Sequence, residues 1–149
     1  EKYSPEGIEE SIVENSRYID QMMMYNNQNP YTIVLIIPNK EALKRYVNYK
    51  HPDWDWDSHQ AKELALNKLQ RELNAYRKGG KFYGAFPERW LPATFCVLPE
   101  PFTEQNHLMN STMKIVRGKI EKRYEEQIQF LYSNEGKNIV NNYNLDALK

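Results

Sequence analysis

The sequence predicts an α+β fold, in which a small mixed β-sheet of about three strands is covered by helices. The run YTIVLIIP at 31–38 is rich in β-branched residues and is bounded by proline, which is typical of a buried strand. Two other apolar segments of strand length, YIDQMMMY at 18–25 and ATFCVLP at 93–99, flank it along the chain. Apolar residues recur at helical spacing before, between and after these segments, which favours helices packed on the sheet.

The first part of the chain is expected to form a helix followed by an antiparallel strand pair. Ser4 and Pro5 are a favourable helix start, because Ser accepts from free N–H groups and Pro fits the first helical position. Ile8 and Ile12 lie one turn apart on one face, and the helix is expected to end near 15–16. The two strands that follow are joined by a loop of about five residues, as in an antiparallel pair.

Two helices are predicted between the second and third strands. Asn39 begins one of them, and its apolar stripe consists of Ala42, Leu43, Tyr46 and Val47. Asp57 and Gln60 have the spacing of a capping box, so the other helix is expected to begin there. Its apolar positions are Ala61, Ala65, Leu69, Leu73 and Tyr76. Glycines at 79–80 are expected to end it, before the irregular aromatic segment KFYGAFPERWLP at 81–92.

The last third of the chain is expected to hold one more helix and a tail. A polar turn leads to Lys114, which is expected on a strand or turn just before that helix. The apolar side of the helix consists of Ile120, Tyr124, Gln127, Ile128 and Leu131. The domain is expected to span 1–132, and the Asn-rich segment 133–149 is expected to be a polar, loosely attached C-terminal tail.

Composition excludes several classes of function. Lys+Arg and Asp+Glu both number 20, so the formal net charge is zero. Binding to nucleic acid or to an anionic membrane through overall charge is therefore not expected. The single cysteine excludes an intrachain disulfide and fits a reducing compartment. The chain opens on a charged stretch rather than an apolar leader, and its longest apolar run is too short to cross a bilayer. We expect a cytoplasmic protein.

The segment HPDWDWDSH at 51–59 contains the residue types of a metal site without the pattern of one. Calcium loops need a turn glycine and a distal bidentate Glu, and neither is in place here. A zinc site needs three or four convergent ligands, whereas the two histidines lie eight residues apart in a loop. We therefore predict no metal site, with Asp57 as a helix cap and the two tryptophans as anchors of the loop on the core.

Three other features have structural explanations. The methionines at 22–24 point to opposite faces of a strand, so they fit packing better than a ligand cluster. Cys96 lies in an apolar strand, where a thiol is usually inert, although a catalytic pair with His107 is conceivable. The segment YGAFPERW at 83–90 is either an aromatic plug under a loop or a stacking surface for a base or peptide.

The segment TMKIVRGKIEKRY at 112–124 is strongly basic. Its cations are Lys114, Arg117, Lys119, Lys122 and Arg123, with only Glu121 opposing them. The cations at 119, 122 and 123 fit a solvated helix face. Lys114 precedes the helix, where a lysine reached by a polar turn is a movable point charge on a long stem. It is the best candidate for a functional side chain.

The stretch from Phe102 to Lys114 resembles the C-terminal motif of AMP-forming acyl-CoA synthetases, especially the long-chain fatty-acid type. That motif reads roughly Phe-Thr-x-Glu-Asn-Gly-Leu-Leu-Thr-Pro-Thr-Leu-Lys, and the residues in register are Phe102, Thr103, Leu108, Thr112 and Lys114. Arg117 matches a basic position after the lysine. The opening is similar to the family's Gly-Glu-Asn-x-x-Pro-x-x-Ile-Glu-Glu, through Glu1, Pro5, Ile8, Glu9 and Glu10. The segment YTIVLIIPNKEAL resembles the strand and helix that come next in the family. Residues 51–92 are poorly covered by the resemblance.

Two departures from the motif fall in the turn that aims the lysine. The family's Thr-Pro-Thr is Asn110-Ser111-Thr112 here, and its Gly is His107. The Ser/Thr/Gly-rich phosphate loop of the family's N-terminal domain does not occur in the chain. The resemblance therefore implies the mobile C-terminal lid of a longer enzyme, with the hinge and a glycine-bearing loop of the coenzyme A channel just before Glu1.

The resemblance implies a two-step reaction. A fatty-acid carboxylate attacks the α-phosphate of ATP to give acyl-adenylate and pyrophosphate, and the thiol of CoA then displaces AMP. Lys114 would bridge carboxylate and nucleotide in the first step, with Thr112 and Arg117 as supporting turn and basic positions. ATP, CoA and the Mg²⁺ that travels with ATP would be held mainly by the N-terminal adenylation domain of the same chain. The isolated lid would be inactive. The resemblance is also compatible with peripheral membrane association of the full enzyme.

Two alternatives stay open at the level of sequence. One is a related adenylating enzyme that passes its acyl group to a carrier protein or another acceptor, because the family shares the lid lysine. The other is a non-catalytic interaction module in which FYGAFPERW at 82–90 binds a partner.

Overall fold

The computed structural model describes residues 4–149, so Glu1 of the opening motif lies outside the described residues. The helices and strands are α1 Pro5–Asn15, β1 Ile19–Tyr25, β2 Ile33–Pro38, α2 Lys40–Lys50, α3 His59–Asn74, β3 Thr94–Val97, α4 Arg117–Arg123, α5 Glu125–Leu131 and α6 Asn142–Ala147. Two short 3₁₀ helices cover Glu88–Trp90 and Glu135–Lys137. The predicted α+β class is confirmed.

The three strands form a mixed sheet in the order β1-β2-β3. β1 and β2 pair antiparallel, with Met24 opposite Val34, and β2 pairs parallel with β3, with Leu35 beside Cys96. All six residues of β2 are buried, because this central strand is covered on both faces. A strand in that position has a continuous apolar sequence, which is why β2 was readily predicted from the sequence.

Two hydrophobic clusters cover the two faces of the sheet. The first contains residues of α1, α2, α3 and α6, and the second contains residues of α4, α5 and the segment 98–116. Met22 and Met24 lie in the first cluster and Met23 in the second, so the methionine run is core packing on both faces. Cys96 is likewise buried in the second cluster.

Two helix boundaries differ from the predictions. α3 takes Ser58 as its N-cap instead of Asp57, because the Ser58 hydroxyl accepts the Ala61 N–H at 3.2 Å. The same helix ends at Asn74, well before the glycines at 79–80. Tyr76, expected on the helix, still packs in the first cluster, where its ring lies against Phe82 with centroids 5.0 Å apart.

The single helix expected after Lys114 is divided into α4 and α5. The break falls at Tyr124, whose φ of −112° and ψ of 28° are not helical. The backbone bonds from Tyr124 to Ile120 and from Ile128 to Tyr124 are nevertheless kept, at 3.0 and 2.9 Å. Because the side chain of Tyr124 is buried in the same cluster as both isoleucines, packing compensates for the interruption.

The segment 133–149 is packed on the domain, so the expectation of loose attachment is wrong. Leu148 is buried in the first cluster, and its carbonyl accepts a hydrogen bond from Trp56 Nε1 at 2.8 Å. Asn144 is fully buried: its Oδ1 accepts from Val97 N at 2.7 Å, and its Nδ2 donates to the Ile139 carbonyl at 2.8 Å. Asn144 thereby satisfies the outer edge of β3. The division of the domain at residue 132 stays a prediction.

A buried ion pair joins α1, β1 and the start of α4. The Glu9 carboxylate accepts hydrogen bonds from both terminal nitrogens of Arg117, at 2.5 and 3.0 Å, and from the backbone N–H of Met24, at 2.6 Å. Glu9 is 7% exposed, and burial raises its pKa above the ordinary 4.5, although the bonds from Arg117 and Met24 act in the opposite direction. A buried pair of this kind is weak evidence for added stability, because the cost of desolvating the two charges offsets their attraction.

Replacing Asn144 should destabilise the fold strongly. Asn144→Ala leaves the buried Val97 N–H and Ile139 carbonyl without partners, so we expect the free energy of unfolding to fall by about 2–4 kcal/mol. Urea unfolding followed by circular dichroism measures the change. Asn142→Ala, at an exposed position of the same helix, is the control and should cost less than about 0.5 kcal/mol. Equal losses in the two variants would contradict the anchoring role of Asn144.

The pKa of Glu9 predicts a pH dependence of stability. Since the folded pKa lies above the unfolded one, the native state holds an extra proton between them, and stability falls as pH rises through this window. Glu9→Gln removes that titration. The free energy of unfolding of the variant, relative to that of wild type, should therefore increase from about pH 4 to pH 7.

The matched control is Glu10→Gln, which removes an exposed carboxylate from the same helix. Unfolding titrations of the three proteins across the pH range measure both effects. A shift that favours wild type as pH rises would mean that Arg117 stabilises the ionised carboxylate more than burial opposes it.

Candidate active-site turn

Lys114 lies on a surface turn shortly before α4. The turn is closed by an isolated antiparallel bridge between Met109 and Ile115. The Asn110 N–H donates to the Lys114 carbonyl at 2.9 Å, and the Met113 N–H donates to the Asn110 carbonyl at 3.0 Å. Lys114 is exposed, and within residues 4–149 its ammonium has no ion-pair or hydrogen-bond partner. The charge is therefore available to a group outside the described domain.

One side chain organises this turn. Asn110 Oδ1 accepts the backbone N–H groups of Thr112 and Lys114, both at 3.0 Å, and the Thr112 hydroxyl at 2.7 Å. An Asn that accepts from the backbone two residues ahead is a well-known turn element. Its presence explains how the chain keeps a defined turn where the related motif has Thr-Pro-Thr. Sequence reasoning missed this role, although an Asn two residues before a Thr in a polar turn was the signal.

The approach to the turn is fixed in a similar way by Asn106. Its Oδ1 accepts the N–H groups of Thr103 and Leu108, at 2.9 and 3.1 Å, and its Nδ2 donates to the Pro101 carbonyl at 2.8 Å. His107 follows in the left-handed region, with a φ of +67°. That conformation is natural for glycine, the residue of the related motif at this position, and is adopted here at a small cost in strain.

The two supporting residues predicted from sequence occupy different environments. Thr112 is exposed on the turn, bound to Asn110 through both its N–H and its hydroxyl. Arg117 is half-buried at the first position of α4, and its guanidinium is paired with Glu9. The structure thus brings Thr112 next to Lys114, whereas it engages the charge of Arg117 within the domain.

An open groove of about 430 Å³ runs beside the turn, between α1, β1 and the segment from 109 to 117. Its lining residues are Glu6, Glu9, Glu10, Val13, Asp20, Gln21, Met22, Met109, Met113, Lys114, Ile115 and Arg117. Met113, beside the lysine, is 68% exposed and has a φ of +65°.

The other candidate sites of the sequence have structural roles. His51 stacks on Trp54, with centroids 3.6 Å apart and planes 3° from parallel, and both tryptophans of that loop pack on the first cluster as predicted. Burial raises the pKa of the Cys96 thiol to about 12, whereas His107 is exposed, so these residues do not form a catalytic pair.

The aromatic segment 82–90 is in part an internal plug. Phe82, Phe86 and Trp90 are half-buried and pack against the first cluster. Tyr83 is 61% exposed and is the large apolar side chain that this segment presents to solvent. The plug interpretation accounts for three of the four aromatic residues.

Residues 4–149 contain neither a cluster of metal ligands nor a membrane-spanning helix. No group of three or more His, Cys, Asp or Glu side chains in this part of the chain is arranged to hold a metal ion. No helix among the described residues has the length and apolar character needed to span a membrane.

Comparison of the sequence with known proteins finds relatives among fatty-acid-activating enzymes. Fatty acyl-CoA synthetase B of Dictyostelium discoideum is 30% identical over 127 residues, which cover 83% of this chain and 18% of that protein. A long-chain-fatty-acid–[acyl-carrier-protein] ligase of Arabidopsis thaliana is 29% identical over 133 residues, covering 89% of this chain and 16% of that protein. The chain thus spans less than a fifth of these relatives. No family model matches it.

Solved structures give the same relationship. The adenylation domain of a carboxylate reductase from Mycobacterium chelonae superposes with a TM-score of 0.57 and 26% identity, covering 83% of this chain and 17% of that one. The adenylation and carrier didomain of a carboxylic acid reductase from Segniliparus rugosus, solved with AMP, shares the fold with a TM-score of 0.61 at 22% identity, covering 91% and 16%. The sequence resemblance to adenylate-forming enzymes is confirmed. The chain is homologous to the C-terminal portion of this group, which includes acyl-CoA synthetases and the adenylation domains of carboxylic acid reductases.

Proposed function

We propose that this chain is the mobile C-terminal lid of an AMP-forming long-chain fatty-acid–CoA ligase and that Lys114 is its catalytic residue. The observation that carries the proposal is an exposed ammonium on a turn with a fixed backbone, at the position where the related motif has its lysine. Relatives named as fatty acyl-CoA synthetases support the reaction class and the choice of a long-chain fatty acid as substrate.

The physical role of Lys114 follows from the charges of the reactants. A carboxylate and the α-phosphate of ATP repel each other, so a cation between them lowers the barrier and holds them in line. A charge-assisted contact in a closed site contributes on the order of 1.5–3 kcal/mol. Because Lys114 has no partner within residues 4–149, this interaction does not require the breaking of an ion pair in the described domain.

The second step requires that the same charge be withdrawn. Once acyl-adenylate has formed, rotation of the lid about a hinge takes Lys114 away and presents another face of the domain for attack by the thiol of CoA. Mg²⁺ arrives with ATP as part of that substrate. We assign ATP and CoA binding mainly to the larger N-terminal domain of the same protein, because the phosphate-binding loop of the family is not part of this sequence.

A second candidate function differs only in the acceptor. One relative is named as an acyl-carrier-protein ligase, and the structural neighbours are adenylation domains of carboxylic acid reductases. In that case the acyl group passes from the adenylate to a carrier-protein thiol, and the role of Lys114 in the first step is unchanged. Incubation of the full-length protein with acyl-adenylate and either CoA or acyl-carrier protein separates the two candidates.

Removing the Lys114 ammonium should stop the first step selectively. In the full-length protein, we expect Lys114→Ala to slow fatty-acid-dependent pyrophosphate release by at least about 10²-fold, as for the loss of other preorganised electrostatic groups. Thioester formation from preformed acyl-adenylate should stay within about threefold of wild type, because the lysine is withdrawn in that step.

The matched control is Lys119→Ala, which removes an exposed lysine on α4 that lies five positions further along the chain. It should leave both steps near the wild-type rate. The proposal is refuted if Lys114→Ala releases pyrophosphate at the parental rate while the protein stays folded.

A further inference from the structure

The segment that carries Lys114 has almost no regular secondary structure of its own. It leaves the sheet after Val97 and enters α4 at Arg117, and the isolated bridge of Met109 with Ile115 is its one ladder contact in the described structure. Buried side chains at 98, 102 and 108 attach it to the second cluster. Apolar contacts are not directional, so they do not by themselves determine where the turn points.

Gln21 of β1 provides a directional contact to this segment. Its Oε1 accepts the Phe102 N–H at 2.9 Å, and its Nε2 donates to the Phe102 carbonyl at 3.1 Å. Both backbone groups of one residue are thus satisfied by a single side chain that is 81 positions away in sequence. Among the standard side chains, the primary amide combines a donor and an acceptor in the geometry that this double contact needs.

The same amide also reaches the base of the lysine turn. Gln21 Nε2 lies 3.4 Å from Met109 Sδ, and Met109 forms the bridge that closes the turn before Lys114. The strand register shifts between Ile19 and Gln21, an irregularity that re-aims a side chain at a strand edge. Gln21 therefore contacts both the entrance and the base of the loop.

We infer that Gln21 is a positioning residue for the adenylation step, acting by fixing the loop that carries Lys114. This inference rests on the proposed function of Lys114. The ion pair of Arg117 with Glu9 fixes the exit of the same loop, so Gln21 and Glu9 anchor its two ends to β1 and α1. Loss of the Gln21 anchor keeps the charge of the Lys114 ammonium but lets it occupy a wider range of positions. This slows a reaction that depends on the alignment of the reacting groups.

The test uses Gln21→Met in the full-length protein, because methionine keeps the length of the side chain and removes both polar atoms. Gln70→Met is the matched control. Gln70 is also half-buried, but it lies on α3, and within residues 4–149 its amide makes one hydrogen bond, to Asn74 Oδ1 at 3.0 Å. Amide hydrogen exchange by mass spectrometry reports on the loop independently of catalysis.

We expect the Gln21→Met variant to exchange about tenfold faster in peptides that cover 102–116, with peptides from β2 unchanged. The kcat of pyrophosphate release should fall about tenfold with KM for ATP and fatty acid unchanged, while thioester formation from preformed acyl-adenylate stays within about twofold. A residue that merely stabilised the fold would instead slow both steps equally and would increase exchange in β2 as well.

Several outcomes overturn the inference. Unchanged exchange over 102–116 refutes it whatever Lys114 does, and so does equal slowing of both steps. If Lys114→Ala, assayed in parallel, keeps the parental rate of pyrophosphate release, the proposed function fails and Gln21 has no adenylation step to serve. In that case faster exchange in the Gln21→Met variant still shows that the loop anchor is real.

Discussion

The position of Lys114 depends on hydrogen bonds between side-chain amides and an irregular backbone, and in most of them an amide oxygen accepts a backbone N–H. Three amides bind successive parts of the loop: Gln21 holds it at Phe102, Asn106 fixes the approach to the turn, and Asn110 closes the turn. A buried or half-buried backbone without strand or helix partners needs such contacts, because each unsatisfied N–H or C=O group costs free energy. The loop is therefore specified by polar groups, while the two hydrophobic clusters supply the platform beneath it.

The two neighbouring cations Lys114 and Arg117 lie in different environments. Arg117 is paired with buried Glu9, so it joins α4 to α1 and β1. Lys114, three positions earlier, stays exposed beside a groove whose rim also carries the carboxylates of Glu6 and Glu10. Arg suits the pairing with Glu9 because its planar fork binds a carboxylate with two bonds, and Lys suits the role proposed for Lys114 because it is a flexible point charge.

The parts of the fold that follow from short-range pattern were predicted from the sequence. β2 was recognised as a strand because burial on both faces gives it a continuous apolar sequence. α2 begins at Lys40, directly after its N-cap Asn39, whose side chain accepts from Ala42 N at 3.1 Å. Lys114 was expected on a strand or turn before the last helix, and the structure places it on a turn.

The errors arise where tertiary contacts override local preference. α3 ends at Asn74 before its glycines are reached, and the helix break at Tyr124 is compensated by burial of that ring, which periodicity does not encode. The segment after residue 132 looked loosely attached because it is rich in Asn, yet the fully buried Asn144 uses its polarity to satisfy the edge of β3. Sequence composition does not distinguish a solvated amide from one that replaces a missing strand.

The same ambiguity explains why Lys114 was proposed from the sequence as a functional side chain, whereas the residues that hold its loop were not noticed. A cation between apolar residues is unusual enough to notice, whereas Gln21 and Asn110 are common polar residues whose partners are fixed only by the fold. Gln21 meets Phe102 because the loop after β3 passes over the second face of the sheet, the face on which Met23 also lies. In the proposed function the domain moves as one body about a hinge, so contacts within it are kept in both steps of the proposed reaction. Its internal rigidity then determines how accurately the lysine arrives each time the lid closes.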